Sequence, residues 1–574
     1  MVKRPTELIY GVGDVPPVPV ILLLSLQHLA LIAIYLVIAV TVARMAGLDA
    51  EAGGRLVSLT MIAGGVGAVL QVLGRRGIGS GFLVPTTTTT ILLPPAGVAI
   101  AQGGLPLLFG MSMVTALTVI VLSQTIRRLR PLFPAEIAGF VVFIVGISVM
   151  VLAERSFLGV QVAAHLRGPH LAVAILTLAT IVGISVWGGA RLRLFCPLIG
   201  IGIGYAASLP LEQFPRTALA SLEAAPLFAL PRLGSFGIAF DAGLLIPFLI
   251  AGLAMSLNTV GAVTAAQKAN DAEWKRPDIA NIGRGLLADG LANLVAGLIG
   301  GVGQSSTSGA VGLSVATGAT CRVVGFGIAA LLFLFALSPK LSMALLIMPD
   351  PVIGAALLFS GCFLVVNGMQ VMASRLLDPR KVFMLGISLT FGLARLFDPE
   401  YFRDAPRWLE PWVGSPMTVS VSLAILLNAL FRIGIHKRSR FTIDGAALDP
   451  DRLDEFMTAQ GQLWGAGPEV AYRARFGTHE VIEMLVARGM VRPRPDGSRP
   501  IAVSTRFDEF SFAVTVGYDG EHLALNDIRL SEEEIFESED GERHLAKFMI
   551  RRVADSVKSE WRGERGAITL LFHA

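Results

Sequence analysis

Two short interruptions in an otherwise apolar series constrain this chain more than any other feature. A helix needs about 20 apolar residues to cross a bilayer. The 574-residue chain supplies such runs at 17–43, 55–73, 105–126, 133–153, 170–188, 195–210, 244–264, 279–300, 323–338, 351–373, 381–397 and 414–431. Two more stretches, GIGSGFLVPTTTTTILLPP near 80–100 and GGVGQSSTSGAVGLSVATG near 303–320, are broken by Gly, Pro and hydroxyl residues. Counted as broken spans, they raise the expected total to fourteen. A mean hydropathy of +0.66 with only 16% charged residues supports bilayer rather than water as the main solvent.

In hydrocarbon every backbone N–H and C=O needs a partner, so an extended Thr- or Gly-rich stretch survives there only when buried in protein or facing a watery cavity. Paired interruptions of this kind mark the binding site of a transporter. Thr86 to Thr90 and Ser305 to Gly309 are therefore expected to run extended, each leading into a half-helix whose free N–H groups face a polar or anionic solute near the midplane. The alternative for TTTTT is a hydroxyl-rich face bonding its own helix carbonyls; Pro85 and Pro94 disfavour it.

The halves also echo each other. Pro134, Gly139 and Gly146 recur as Pro349, Gly354 and Gly361. Seven spans in each half make the two halves oppositely oriented, an inverted repeat. Arg75, Arg76, Arg127, Arg128, Arg191, Arg193, Arg322, Arg380 and Lys381 fall in loops on one side, against a sparser set including Arg44, Arg55, Arg155, Arg167, Arg232 and Lys340 on the other. The bias of Lys and Arg toward the cytoplasm puts both termini inside, in an inner (cell) membrane. The N-terminal MVKRPTELIYGVGDVPPVP carries no signal-peptide pattern, so the first span is expected to insert directly.

Charged and strongly polar side chains within spans are functional candidates. Gln27 and His28 in the first run, Asn258 in AGLAMSLNTVGAVTAA and Asp289 in GRGLLADGLANLVAG are the short set. Asp289 has a structural alternative as an anchor for Arg284. Cys196, Cys321 and Cys362 show no metal-ligand or disulfide spacing and read as buried small hydrophobes. Neither a cofactor nor a metal is indicated, no nucleophile elbow or phosphate loop argues for an enzyme, and the formal charge of +4 is too diffuse for nucleic acid.

These residues resemble the nucleobase-ascorbate transporter family over roughly residues 8 to 432. Gln27-His28, the stretch from Gly77 to Pro94, NTVGAVTAAQ from Asn258, LLADGLANL around Asp289 and SSTSGAVGLSVATG leading to Arg322 carry the resemblance. It implies a seven-plus-seven inverted repeat, a core domain moving against a gate domain, and a homodimer. The family's eighth-span Glu falls on Asn258 and an Asp four residues later on Ala262. Its tenth-span polar pair falls on Gly309 and Ala310, while Gly312 and Thr317 fit. A charge-assisted hydrogen bond contributes roughly 1.5–3 kcal/mol, so these departures weaken any assignment to one particular base.

The expected substrate-binding set is Gln27, His28, Thr88, Thr89, Thr90, Asn258, Thr307, Ser308, Gly309 and Ala310, with His28 and Asp289 as candidates for coupling a proton or sodium ion. The expected function is secondary-active transport of a nucleobase-like solute such as xanthine, urate or uracil. Two alternatives are a transporter-derived sensor reporting through its tail and a small-anion transporter of the same architecture.

Arg432 to Ala574 is dense in charge, dividing the chain into a membrane domain, 1–437, and a cytosolic α+β domain, 438–574. HEVIEMLVARGM reads as an amphipathic helix, FSFAVTVGYDGEHLALND as a hairpin turning at Asp519-Gly520, RHLAKFMIRRVADSVKSEWRG as a helix and AITLLFHA as a closing strand. The order is similar to a degenerate histidine-kinase-type ATPase fold, with NDIRLSEEE where a nucleotide loop is expected.

Overall fold

The computed structural model describes residues 4–6, 8–129, 135–160, 162–193, 195–211, 214, 216–272, 274, 277–373, 377, 379–402, 406, 410–413, 415–431, 433, 438–447, 449–464, 468–507, 511–521, 523 and 549–573. Among these, eight helices are long and apolar enough to cross a membrane, or nine when the pair Arg322–Ala336 and Pro339–Leu346, bent by 87°, is one span. The chain is a multi-pass membrane protein.

The membrane unit is built in chain order. Helices α1 (Val18–Met45) and α2 (Ala50–Leu73) lead to strand β1 (Thr86–Thr88), then to α3 (Leu93–Leu129), α4 (Ala135–Leu158), α5 (Arg167–Trp187), α6 (Ala190–Arg193), α7 (Cys196–Ser208) and α8 (Arg216–Ala224). The order then repeats in outline: α9 (Leu245–Asn270), α10 (Ile279–Ile299), strand β2 (Gln304–Ser306), α11 (Ser308–Ala316), α12 (Arg322–Ala336), α13 (Pro339–Leu346), α14 (Asp350–Met372), α15 (Pro379–Phe397), α16 (Glu410–Val413) and α17 (Pro416–Phe431).

Local chemistry fixes the helices that flank the strands. Asp49 caps α2 by accepting from Ala52 N–H, and Asp278 caps α10 by accepting from Ala280 and Asn281. Both helices stop at a left-handed glycine, Gly74 (φ 58°) and Gly300 (φ 86°). Helix α3 changes direction at Gly103 and Gly104, just before Pro106, so a half-helix precedes its longer part.

Between these helices the two interruptions meet. Strand β1 pairs antiparallel with β2, Thr86 opposite Ser306, Thr87 opposite Ser305 and Thr88 opposite Gln304. Each strand supplies partners for the other's backbone groups, which is how extended chain persists at membrane depth. Helix α2 comes so close that a Cβ on Gly67 would lie 2.4 Å from Thr86 Oγ1.

The glycines that suggested an internal repeat lie where α4 and α14 touch. A Cβ on Gly139 would meet Met372 N at 2.5 Å and Gly368 O at 2.7 Å, and one on Gly354 would meet Phe157 N at 2.4 Å. Small residues let helix backbones approach this closely, the usual basis of helix association in lipid. Pro134, the third mark of that comparison, lies outside the described residues. Cys196 and Cys321 are buried, but Cys362 is exposed on α14, correcting its reading as a core residue.

The second unit holds a five-stranded antiparallel sheet in the order β3-β4-β5-β7-β6, formed by β3 (Arg438–Asp444), β4 (Pro500–Phe507), β5 (Ser511–Asp519), β6 (Ser556–Arg562) and β7 (Arg565–His573). Helices α18 (Pro450–Trp464) and α19 (Pro468–Ala487) belong to the same unit. Strand β5 alternates strictly, burying Phe512, Val514, Val516 and Tyr518 against Leu453, Val481, Leu485 and Phe572.

Two sequence expectations change here. Strand β5 does not fold back at Asp519-Gly520 onto the residues that follow. It pairs with β4 and β7, and Gly520 bridges Val491. The stretch read as one helix from Arg543 is helical over 549–553 and becomes strand β6 from Ser556. Val557, Ser559 and Trp561 alternate with Lys558 and Glu560, a period-two pattern that the adjacent strand β7 selects over helix. Residues 543–548 and NDIRLSEEE lie outside the described residues.

Candidate functional site

The strand pair, the residues that follow β1 as far as Ile91 and the start of α11 border a cavity of about 590 Å³. Thr87 to Thr90 line one side, while Asn258, Ser305 and Thr307 to Gly309 line the facing side. The remaining wall comes from Ile34 and Tyr35 on α1, Val142 and Val145 on α4, and Phe359, Phe363, Asn367 and Gln370 on α14. Helix α11 starts at this surface, its N-cap Thr307 accepting from Gly309 N–H, so its first-turn donors and positive dipole end border the cavity. Among the described lining residues there is no carboxylate, and Arg193 is the single charged side chain.

Asn258 has a fixed orientation. Its Nδ2 donates to Ser306 O at 2.9 Å and to Ser305 Oγ at 3.1 Å. A carbonyl only accepts, so the NH₂ group must face β2 and the amide oxygen is left for other partners.

Behind Asn258 lies a buried polar cluster. Asp289, 2% exposed, accepts from Gln71 Nε2 at 2.6 Å and Ser306 Oγ at 2.8 Å on one oxygen, and from Thr259 Oγ1 at 2.5 Å and Ser306 N–H at 2.9 Å on the other. Asn293 clamps the far end of β2, donating to Gln304 O at 2.6 Å and accepting from Gln304 N–H at 2.8 Å. Strand β2 is thus held by side chains of α2, α9 and α10 as well as by β1.

The structure distributes the expected residues unequally. Thr88, Thr89, Thr90, Asn258, Thr307, Ser308 and Gly309 line one cavity. Ala310 is fully buried in the first turn of α11, and its carbonyl accepts from Ser314 Oγ. His28 is also buried: Nδ1 bonds Leu24 O at 2.9 Å and Nε2 bonds Ser314 Oγ at 3.0 Å. Gln27 and His28 are not among the lining residues, and Gln27 Oε1 is buried without a partner among the described residues. Asp289 sits outside the cavity, two hydrogen bonds from Asn258 by way of Ser306. Sequence reasoning missed Gln71, Thr259 and the α4 and α14 wall; Gln71 is a polar residue in an apolar span, a signal that would have found it.

Membrane-length helices folded around two paired broken spans and a cavity between them define a membrane transporter, not an enzyme. Residues 20–401 match the sequence model Xan_ur_permease, described as a permease family. The chain belongs to this family, the nucleobase-ascorbate transporters. It is 27% identical over 446 residues to "Xanthine permease XanP" of Escherichia coli (strain K12), covering 74% of this chain and 95% of that one. It is 23% identical over 421 residues to "Uric acid permease PucJ" of Bacillus subtilis (strain 168), covering 71% and 92%. The solved structure titled "The overall structure of SLC26A9" aligns with a TM-score of 0.49 at 12% identity, covering 81% of this chain and 82% of that one.

Proposed function

We propose that this chain is a secondary-active permease for a nucleobase-like solute such as xanthine, urate or uracil. The carrying observation is the cavity at the paired strands, which Thr88 to Thr90, Asn258 and Thr307 to Gly309 line together. The solute binds among these residues, with Ala310, Gln27 and His28 supporting the helices behind them. A lactam edge suits the arrangement: a ring N–H meets the Asn258 amide oxygen and the adjacent carbonyl meets the first-turn donors of α11. Relatives named as xanthine and uric acid permeases point to the same solute class.

The same reading takes the chain as fourteen spans in two inverted sevens. To the nine apolar spans it adds the half-helices after β1 and β2, the short apolar helices α7 and α17, and α15. It places residues 1–437 in the inner membrane and 438–574 in the cytosol, and expects a homodimer. Uptake of labelled xanthine, urate and uracil into proteoliposomes tests it. Saturable uptake of at least one, suppressed by the unlabelled solute, is expected. Binding of all three without flux contradicts transport and supports a sensor.

A further inference from the structure

The loop GRRGIGSG, residues 74–81, leads from α2 toward the first broken span and is pinned to α2 and α10. Gly79 N–H donates to Arg284 O at 3.0 Å, Gly81 N–H to Gln71 O at 3.0 Å, and the Asn281 side-chain amide to Ser80 O at 2.7 Å. Gly74, Gly77, Gly79 and Gly81 all take left-handed backbone, which glycine adopts freely. Arg76 (φ 52°) is the one other residue to do so among the described residues. Arg75, Arg76 and Gly77 stand exposed at the tip.

The start of α12 lies against this loop. Gly74 and Gly81 cross so closely that a Cβ on Gly74 would lie 2.8 Å from Gly81 Cα, and the Arg322 guanidinium reaches the same place. A Cβ on Gly74 would be 3.7 Å from its Nη1, and one on Gly81 3.8 Å from its Nη2.

This guanidinium has no acceptor. Arg322 Nε is buried without a partner, and so is Nε of Arg284, the residue whose carbonyl holds Gly79. Arg322 also opens α12, whose N-cap Cys321 makes no side-chain bond, so a cation stands at the positive end of a helix. The N-terminal segment crosses this junction, Arg322 N–H donating to Val12 O at 3.2 Å, but its carboxylate is already engaged: Asp14 takes Arg4 at 2.9 Å and Gly11 N–H at 2.9 Å. Among the described residues no carboxylate pairs with Arg75, Arg76, Arg284 or Arg322. A guanidinium partly withdrawn from water is costly unless an acceptor meets it.

We propose that the 74–81 loop and Arg322 form a binding site for a phosphate-type oxyanion, outside the solute cavity. The planar fork of Arg322 donates two parallel N–H groups to such an oxyanion, and Arg75, Arg76 and Arg284 add positive potential around it. The bias of Lys and Arg predicts the cytoplasm on this side, where the leaflet carries anionic lipid and phosphate is present in solution. The chemistry is the same for a lipid headgroup and for free phosphate. Because the loop precedes β1 and Arg322 follows α11, a bound anion ties the chain entering the first broken span to the chain leaving the second. The site stands independently of which solute the cavity carries.

Thermal unfolding of the purified full chain in nanodiscs is the test. Three samples are compared at equal ionic strength: phosphatidylcholine alone with sodium chloride, the same with inorganic phosphate, and discs containing phosphatidylglycerol. Wild type is expected to gain about 3 °C in at least one of the last two. Arg322→Gln should lose that gain, while Arg322→Lys should keep part of it, since a point charge replaces the fork. Arg75→Gln combined with Arg76→Gln should need about tenfold more anion for the same gain. A gain with inorganic phosphate assigns the site to phosphate in solution, and a gain confined to phosphatidylglycerol assigns it to a lipid headgroup. No gain in either sample, or an undiminished gain in Arg322→Gln, overturns the proposal. Should Arg322→Gln fail to fold, the double variant at the loop tip decides: an anion requirement equal to that of wild type overturns it.

Discussion

The two broken spans look alike in sequence and are held in different ways. Strand β1 relies on threonine hydroxyls and backbone: Thr86 Oγ1 donates to Gly64 O at 3.2 Å, and Thr89 N–H donates to Gly303 O at 3.0 Å. Strand β2 is gripped by Asp289, Asn258 and Asn293, whose side chains bond its backbone at two residues, Gln304 and Ser306. The first span is a ribbon that packing shapes; the second is wired to an ionisable group. Two stretches under the same demand, to satisfy extended backbone in lipid, have met it with different chemistry.

That contrast predicts unequal responses to substitution. The largest expected effect is at Asn293. Leucine there leaves the N–H and C=O of Gln304 without partners, at roughly 1–3 kcal/mol each, and the melting temperature of the purified chain should fall accordingly. Thr86→Val on β1 removes a single bond and should cost about 1 kcal/mol in the same measurement. Equal losses from the two would break the comparison. Thr88→Val should cost less again, on the order of 0.5 kcal/mol or below, since Gln304 Nε2 approaches its hydroxyl only to 3.5 Å.

The smallest effect belongs to the second unit. The Asp444 carboxylate accepts the N–H groups of Ala446 at 3.0 Å and Arg499 at 2.7 Å, which hold it below the usual carboxylate range. A depressed folded value adds stability above about pH 4 that disappears as pH falls through it. Asp444→Asn should slightly speed amide exchange at Gly445, whose N–H bonds Arg499 O at 2.8 Å. The difference from wild type should shrink as the medium is acidified, and a difference that grows would reverse the sign.

What the sequence disclosed follows the same physical lines. The breaks were legible because Gly, Pro and Thr interrupt apolar runs, a local signal. Asn258 was legible because a lone amide in a span is costly unless partnered. Gln71 was open to the same rule; Thr259 was not, since its role depends on meeting Asp289 across 30 residues, and no local pattern encodes that. The cavity wall on α4 and α14 was hidden for another reason: Val145, Phe359 and Phe363 have the composition of any lipid-facing residue. In the second unit, Arg543 to Gly563 carries charges at helix-like spacing, so β6 could be recognised only from the strand it joins.

The most direct measurement is solute protection at the meeting point of the strands. With Ser308→Cys placed in a chain whose three native cysteines are serine, alkylation is followed in membranes with rising xanthine, urate and uracil. Concentration-dependent protection by at least one, absent when Asn258 is also replaced by leucine, is the predicted result. Labelling that stays constant at saturating amounts of all three, in a protein that still takes them up, would put the solute elsewhere and contradict the account.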